Sequence, residues 1–289
     1  MASLRDIRKR IKSVKNSEKI TKAMKMVSAA KLKKAQDEVR KSKAYAHKME
    51  EVVGHLAKRL ENQGEAPHAL LQDHPTKKRI ELVVLTSDRG LCGALNSNII
   101  RKAQRFLTEM SSKHDEIRVS TLGRKGFEAL KREGVSIRTN YTGVLDRPSY
   151  LKASQIAAEL SESYVEDSVD AIYLVYNEFK SAISQQIVVK QLLPIVPTES
   201  LEDTVDYIYE PSQTELLNHL LPKHLATQLF QAFLESVASE HGARMTAMDN
   251  ATRNAKEVIS SLTLKYNRAR QAAITKELME IIGGAEALA

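Results

Sequence analysis

"LRDIRKRIKSVKNSEKITKAMKMVSAAKLKKAQDEV" runs from Leu4 to Val39 without a glycine or proline, and its reading decides the fold. A heptad frame picks out Leu4, Ile7, Ile11 and Val14, resumes at Leu32, Ala35 and Val39, and continues through Ala46, Met49, Val53, Leu56 and Leu60. Apolar residues at alternating spacings of three and four mark a helix with one stripe laid against a partner helix. Between Val14 and Leu32 the same frame lands on Glu18, Thr21, Lys25 and Ser28, while Ile20, Met24 and Val27 carry apolar character around the helix. The spacing predicts a seam that fails for about three turns, where lysines and methionines face away from the helix's own mate.

The mate is found at the other end of the chain. All seven prolines lie between Pro67 and Pro222, so about sixty residues at each end are free of the strongest helix breaker. Residues 223 to 289 carry a second series at heptad spacing: Leu234, Ala238, His241, Met245, Met248, Thr252, Ala255, Ile259, Leu262, Tyr266, Ala269 and Ala273. Each arm is predicted as one helix of roughly 90 Å at ~1.5 Å per residue, far beyond the ~10–14 residues usual in globular proteins. Helices of that length need a partner along their length. The economical arrangement is a long antiparallel coiled coil of residues 1–63 with residues 223–289, with residues 64–222 inserted at one end.

The inserted segment reads as an α/β domain. "RIELVVLTSD" (Arg79 to Asp88) is a β-rich run that ends in turn residues, and helix-compatible "NSNIIRKAQRFLTEM" follows from Asn96. "EIRVSTLG" precedes the helical "RKGFEALKREG", and "LKASQIAAELSESYVED" leads into the strand "DAIYLVYNEF". Strands alternating with helical patterns favour a parallel, Rossmann-like sheet with helices on its faces. Two further β-rich runs, "SAISQQIVVKQLLPIV" and "VDYIYE", are expected at an edge, the first as an arm of a hairpin.

Several function classes find no support. The first strand-to-helix turn, "TSDRGLCGALN", has Gly90 and Gly93 but neither the spacing of a dinucleotide fingerprint nor the Gly-Lys-Ser/Thr ending of a phosphate loop. Its glycines suit a tight turn or a close backbone approach. The eight histidines are scattered, with no helix-spaced pair around a glutamate, and the lone Cys92 allows neither an internal disulfide nor a cysteine metal cage. His241, on the seam, reads as a packed or partly solvated residue. No catalytic residues, metal or cofactor are expected. No apolar run approaches the ~20 residues of a membrane span, and residues 1–19 lack the apolar core of a secretion signal.

Charge is more informative. Residues 1–60 hold 18 Lys and Arg against 6 Asp and Glu, whereas residues 223–289 hold 8 against 7. The basic excess therefore lies in the first arm, and the middle is net acidic. Crowded like charges call for an acidic partner, either a protein surface or nucleic acid. A basic coiled-coil nucleic-acid-binding protein stays open as the alternative, although aromatics are not interleaved with the basic residues.

"ITKAMKMVSAAKLKKA" (from Ile20), "LTSDRGLCGALNSN" (from Leu85) and "ARMTAMDNATRNAKEVISSLTLKYNRARQAAITKELMEIIGGAEAL" (from Ala243) together resemble the gamma subunit of F-type ATP synthases. The closing "YNRARQAAITKELMEIIGGA" is the most specific part; residues 135–222 match in pattern more than in motif. The resemblance implies the central shaft of a rotary motor, a non-catalytic chain turned by a membrane c-ring beside the epsilon subunit, inside a ring of alternating alpha and beta subunits. It implies a peripheral position on the cytoplasmic face of a bacterial plasma membrane. Chloroplast members carry a regulatory cysteine pair that has no counterpart here. Four residues match contact positions of the family, Met24 and Lys25 toward an acidic loop of the beta subunit and Arg268 and Gln271 toward a loop of the surrounding ring; Thr275, one turn beyond Gln271, is expected to join the second group. The end from Ala272 to Ala289 is expected to reach furthest into an apolar collar.

Overall fold

The computed structural model describes residues 3–62, 68–74, 78–182, 184–197, 210 and 212–286, with the backbone alone for Glu61 and residues 283–286. The elements are α1 (Leu4–Asn62), a 3-10 turn (Ala69–Leu71), β1 (Arg79–Leu85), α2 (Leu95–Ser111), β2 (Glu116–Leu122), α3 (Arg124–Arg132), β3 (Ile137–Tyr141), α4 (Tyr150–Val165), β4 (Ala171–Phe179), β5 (Gln185–Leu193) and α5 (Gln213–Glu286). The chain divides into two compact units, Ala29–Arg244 and the two ends, Met1–Ser28 with Met245–Ala289. Both divisions fall inside the long helices.

In the larger unit the strand order is β3-β2-β1-β4-β5. The first four strands are parallel, and β5 returns antiparallel to β4, as expected for a hairpin arm. Each face has its own core because successive side chains on a strand point to opposite sides. Ile80, Leu82 and Val84 of β1 face α2 and α3 with Ile99, Ala103, Phe106 and Leu130. Val83 and Leu85 face α4, the end of α1 (Met49, Val53, Leu56, Leu60) and the start of α5 (Leu217, Leu221, Leu225, Leu229, Phe233). The fully buried Asp170 ties the beginnings of β1 and β4 together: it accepts from the Lys78 and Arg79 backbone amides, each at 2.7 Å, and pairs with the Arg79 guanidinium at 2.9 Å.

The structure departs from the sequence expectations in two places. The last helix starts at Gln213 and contains Pro222, where the sequence reading places its start at 223. Pro222 is exposed, so the carbonyl of Asn218 that loses its donor remains open to water. β3 has no counterpart in the sequence reading. It is a short edge strand without a buried residue, and so lacks the apolar run that reveals an inner strand. The run "VDYIYE" lies, but for Glu210, outside the described residues.

Candidate partner-binding surface

The smaller unit is built from residues 4–28 of α1 and 245–286 of α5. Thr21 bonds Thr252, hydroxyl to hydroxyl, at 2.8 Å, and the Lys25 ammonium lies 2.6 Å from the Asp249 carboxylate. As numbers rise on one helix they fall on the other, so the pair is antiparallel. The expected seam on α5 is present throughout: Met248 and Thr252 are buried, Met245 is half-buried, and Ala255, Ile259, Leu262, Tyr266, Ala269 and Ala273 are half-buried between exposed neighbours.

On α1 the seam does not fail as the spacing predicted. Thr21 and Lys25 stay on the covered side and Ser28 is buried, whereas Ile20 and Val27 are 60% and 57% exposed. The reason is polar complementarity. Thr21 and Lys25 find partners across the seam, so the frame persists without apolar side chains. Met24 is half-buried beside them, and Met26 is exposed.

Asp249 is the centre of this polar layer. One of its oxygens accepts from Lys25, and the other accepts from Arg253 Nη2 at 2.7 Å. The two bonds, Lys25 first, hold the Asp249 carboxyl below the ordinary carboxylate range. The sequence signal for it was the Asp249–Arg253 spacing of four on a helix, which the frame positions alone did not reveal.

Arg268, Gln271 and Thr275 are all exposed. Their spacings of three and four place them in one row along α5, extended by the exposed Leu264 and Leu278. Ile274, Met279, Ile281 and Ile282 are also exposed on the same final turns. Single exposed aliphatics are ordinary, but a helix end with this many offers a surface that another protein can cover. The structure thus gathers Met24 and Lys25 in the polar layer and places the other three in a separate row.

The strand-to-helix turn in the larger unit has a different use. Leu91 and Gly93 adopt left-handed conformations, with φ of 63° and 60°, so Gly93 supplies the tight turn, while Gly90 has open space around it. The Asp88 carboxylate accepts from the backbone amides of Arg124 and Gly143 at 2.8 and 3.1 Å, the first of these being the start of α3. Ser87 and Asn96 bond each other, and burial raises the Cys92 thiol pKa. From α5, Arg244 reaches the Gly90 carbonyl, Gly242 packs on Ala182 and Ser239 bonds the Asn177 carbonyl at 3.3 Å. In open α/β sheets ligands favour the crevice at the carboxyl ends of the strands where the order reverses, here between β1 and β4. In this chain α5 lies against the residues that follow both strands. His241 is half-buried, its pKa pushed down to about 4, first by burial and then by Arg244 and Lys31. Among the described residues no group of His, Cys, Asp and Glu is placed to hold a metal ion, and no helix is long and apolar enough to cross a membrane.

The family model described as ATP synthase matches residues 3–288. The chain is 56% identical to the ATP synthase gamma chain of Geobacter metallireducens over 290 residues, covering 100% of this chain and 99% of that one. It is 53% identical to the gamma chain of an Anaeromyxobacter species, with 100% of both chains covered. Among solved structures it resembles the central stalk/c-ring of the Tetrahymena thermophila mitochondrial ATP synthase, with TM-score 0.61 and 28% identity, covering 80% of this chain and 99% of that one. The rotor of the Euglena gracilis mitochondrial enzyme shares the fold, with TM-score 0.67, 20% identity, and 94% and 98% of the two chains covered.

Proposed function

The chain belongs to the ATP synthase gamma-chain family, and from that premise we propose that it is the central rotor shaft of an F-type ATP synthase. It couples proton flow through the membrane rotor ring to ATP synthesis or hydrolysis at the beta-subunit sites. The carrying observation is likeness over the full chain, which includes both helical ends as well as the sheet. The chain itself is non-catalytic. Its contribution is a difference in contact free energy: as the shaft turns, each beta subunit meets a different face and its affinity for nucleotide shifts.

The partners in this reading are the alternating alpha and beta subunits, the epsilon subunit and the c-ring. The complex sits peripherally on the cytoplasmic face of a bacterial plasma membrane. Residues 1–63 and 223–289 serve as the shaft and 64–222 as the domain nearest the ring. Met24 and Lys25 engage an acidic loop of the beta subunit, and Arg268, Gln271 and Thr275 engage the surrounding ring. The exposure of Arg268, Gln271 and Thr275, and in Lys25 the 43% exposure of a side chain already in a polar layer, with half-buried Met24 next to it in the chain, support these roles.

The test is purification of the tagged chain from its host, identification of what accompanies it, and an ATPase assay. Recovery of an alpha–beta ring with epsilon and ATPase activity is expected. Recovery of nucleic acid alone, or of the folded chain without partners, overturns the assignment.

A further inference from the structure

We propose that Asp249 is an internal competitor for Lys25, a positioning residue that keeps the contact between Lys25 and its acidic partner exchangeable. The inference rests on the reading of Lys25 given above and goes beyond it by naming the group that controls it. Three observations lead to it. Lys25 is not a free cation awaiting a partner, because its ammonium is 2.6 Å from Asp249 Oδ1. The pair is accessible, with side chains 43% and 31% exposed, so an arriving carboxylate can reach Lys25 without opening the helix pair. And Asp249 is not stranded when Lys25 leaves, because its other oxygen already holds Arg253 at 2.7 Å.

Together these make engagement an exchange. An acidic group that docks on Lys25 displaces Asp249, which retains Arg253; when the group departs, Asp249 takes the ammonium back. No charge is left without a counter-charge at either stage, and neither direction requires stripping water from an isolated ion, the step that makes unpaired charges costly. A shaft that meets several equivalent partners in turn needs contacts that release as readily as they form. Differential affinity is what drives the partner's change of state, and a contact that is too tight in one position holds the rotor there. Removing Asp249 leaves Lys25 uncontested, so its hold on the partner strengthens and release slows.

The experiment compares complete complexes carrying wild-type chain, Lys25→Ala, Asp249→Asn, Asp249→Glu and the Lys25→Ala/Asp249→Asn double variant. Steady-state hydrolysis and hydrolysis-driven proton pumping are measured, with thermal unfolding of each free chain as a control. Asp249→Asn is expected to slow hydrolysis about threefold while the double variant returns to the Lys25→Ala rate, a non-additivity that marks two residues acting through each other. Asp249→Glu, which keeps the carboxylate, is expected near wild type. A wild-type rate in Asp249→Asn with an altered Lys25→Ala overturns the competitor role and leaves the Lys25 contact standing. Slowing by Asp249→Asn that persists without Lys25 also overturns it and assigns Asp249 to the helix pair itself. Wild-type behaviour of Lys25→Ala removes the contact on which the inference rests.

Discussion

The Arg244 guanidinium donates to the Gly90 carbonyl at 3.1 Å from a helix 154 residues further along the chain. The same group holds the Glu240 carboxylate at 2.6 Å one turn before it, and the two side chains are 10% and 11% exposed. The turn after β1 is thereby fastened to α5 in the place where a related sheet would take a ligand. Burial raises the Glu240 pKa and Arg244 opposes that rise, so the guanidinium favours the charged form of a carboxylate at this depth.

Arg244→Ala therefore strands a buried carboxylate and frees the Gly90 carbonyl. The expected loss is about 3 kcal/mol of unfolding free energy, the scale for removing one partner of a buried pair. Urea unfolding measures it. The double variant Arg244→Met/Glu240→Leu is expected to lose less, because neither charge is left behind; an equal or larger loss would show that the Gly90 bond carries most of the effect.

Gly123 gives a second, steric prediction. Its φ is 99°, and a β-carbon there would lie 2.0 Å from the Thr86 carbonyl oxygen, which belongs to backbone that cannot swing aside. Gly123→Ala is expected to destabilise the protein by about 3 kcal/mol or more, the range of strained or overpacked sites. Gly134 is the control: its φ is 81° but nothing lies within 4 Å of the position a β-carbon would take, so Gly134→Ala is expected to cost only about 1–2 kcal/mol from the left-handed backbone. Equal losses in thermal melts would count against the Thr86 contact.

The contrast between these sites shows what the sequence made legible. The seam on α5, from Met245 to Ala273, was readable because heptad spacing is a local property of one helix. Three of the four parallel strands, β1, β2 and β4, were readable because strands buried on both faces are short apolar runs. The polar layer was misread because Thr21 and Lys25 look like a break until Thr252 and Asp249 lie opposite them, and no local pattern states the register of an antiparallel pair. Arg244 escaped notice for the same reason: its partner Gly90 is distant in sequence. Gly123 is a single glycine at the end of "EIRVSTLG", and only the nearness of Thr86 distinguishes it from an ordinary loop residue.

His224 sets a pH dependence. It is 3% exposed on α5 and bonded to Gln228, with Glu50 and Lys190 as its charged neighbours, and burial pushes its pKa down to about 4. An unfolded histidine takes its proton near pH 6.5. Above that pH both states are neutral and the folded state keeps its full stability. As the pH falls below about 6.5 the unfolded chain binds a proton that the folded chain refuses, so stability declines until about pH 4, by about 3 kcal/mol in total. Urea titrations at intervals across this window check the slope, and His224→Gln is expected to flatten part of it; an unchanged slope in the variant assigns the dependence to other groups.

The Thr21–Thr252 contact allows a test of what the polar layer is for. Each hydroxyl also lies within reach of a carbonyl of its own helix, Thr21 of Glu18 at 3.0 Å and Thr252 of Met248 at 2.7 Å; each carries one proton, so one of the two donates across the seam and the other to its own helix. Thr252→Val alone, which breaks one bond across the seam at a 7% exposed site, is expected to cost about 1 kcal/mol. Replacing both residues with valine substitutes a matched apolar pair, and the expected change is near zero or stabilising. If thermal melts of the double variant match wild type while a cysteine pair built into the seam crosslinks in more than one alignment, the threonines act on register and not on stability. A matched polar pair does this in coiled coils, because every slipped alignment leaves it facing apolar neighbours. A double variant that melts well below wild type would place the hydroxyl pair among the bonds that hold the helices together.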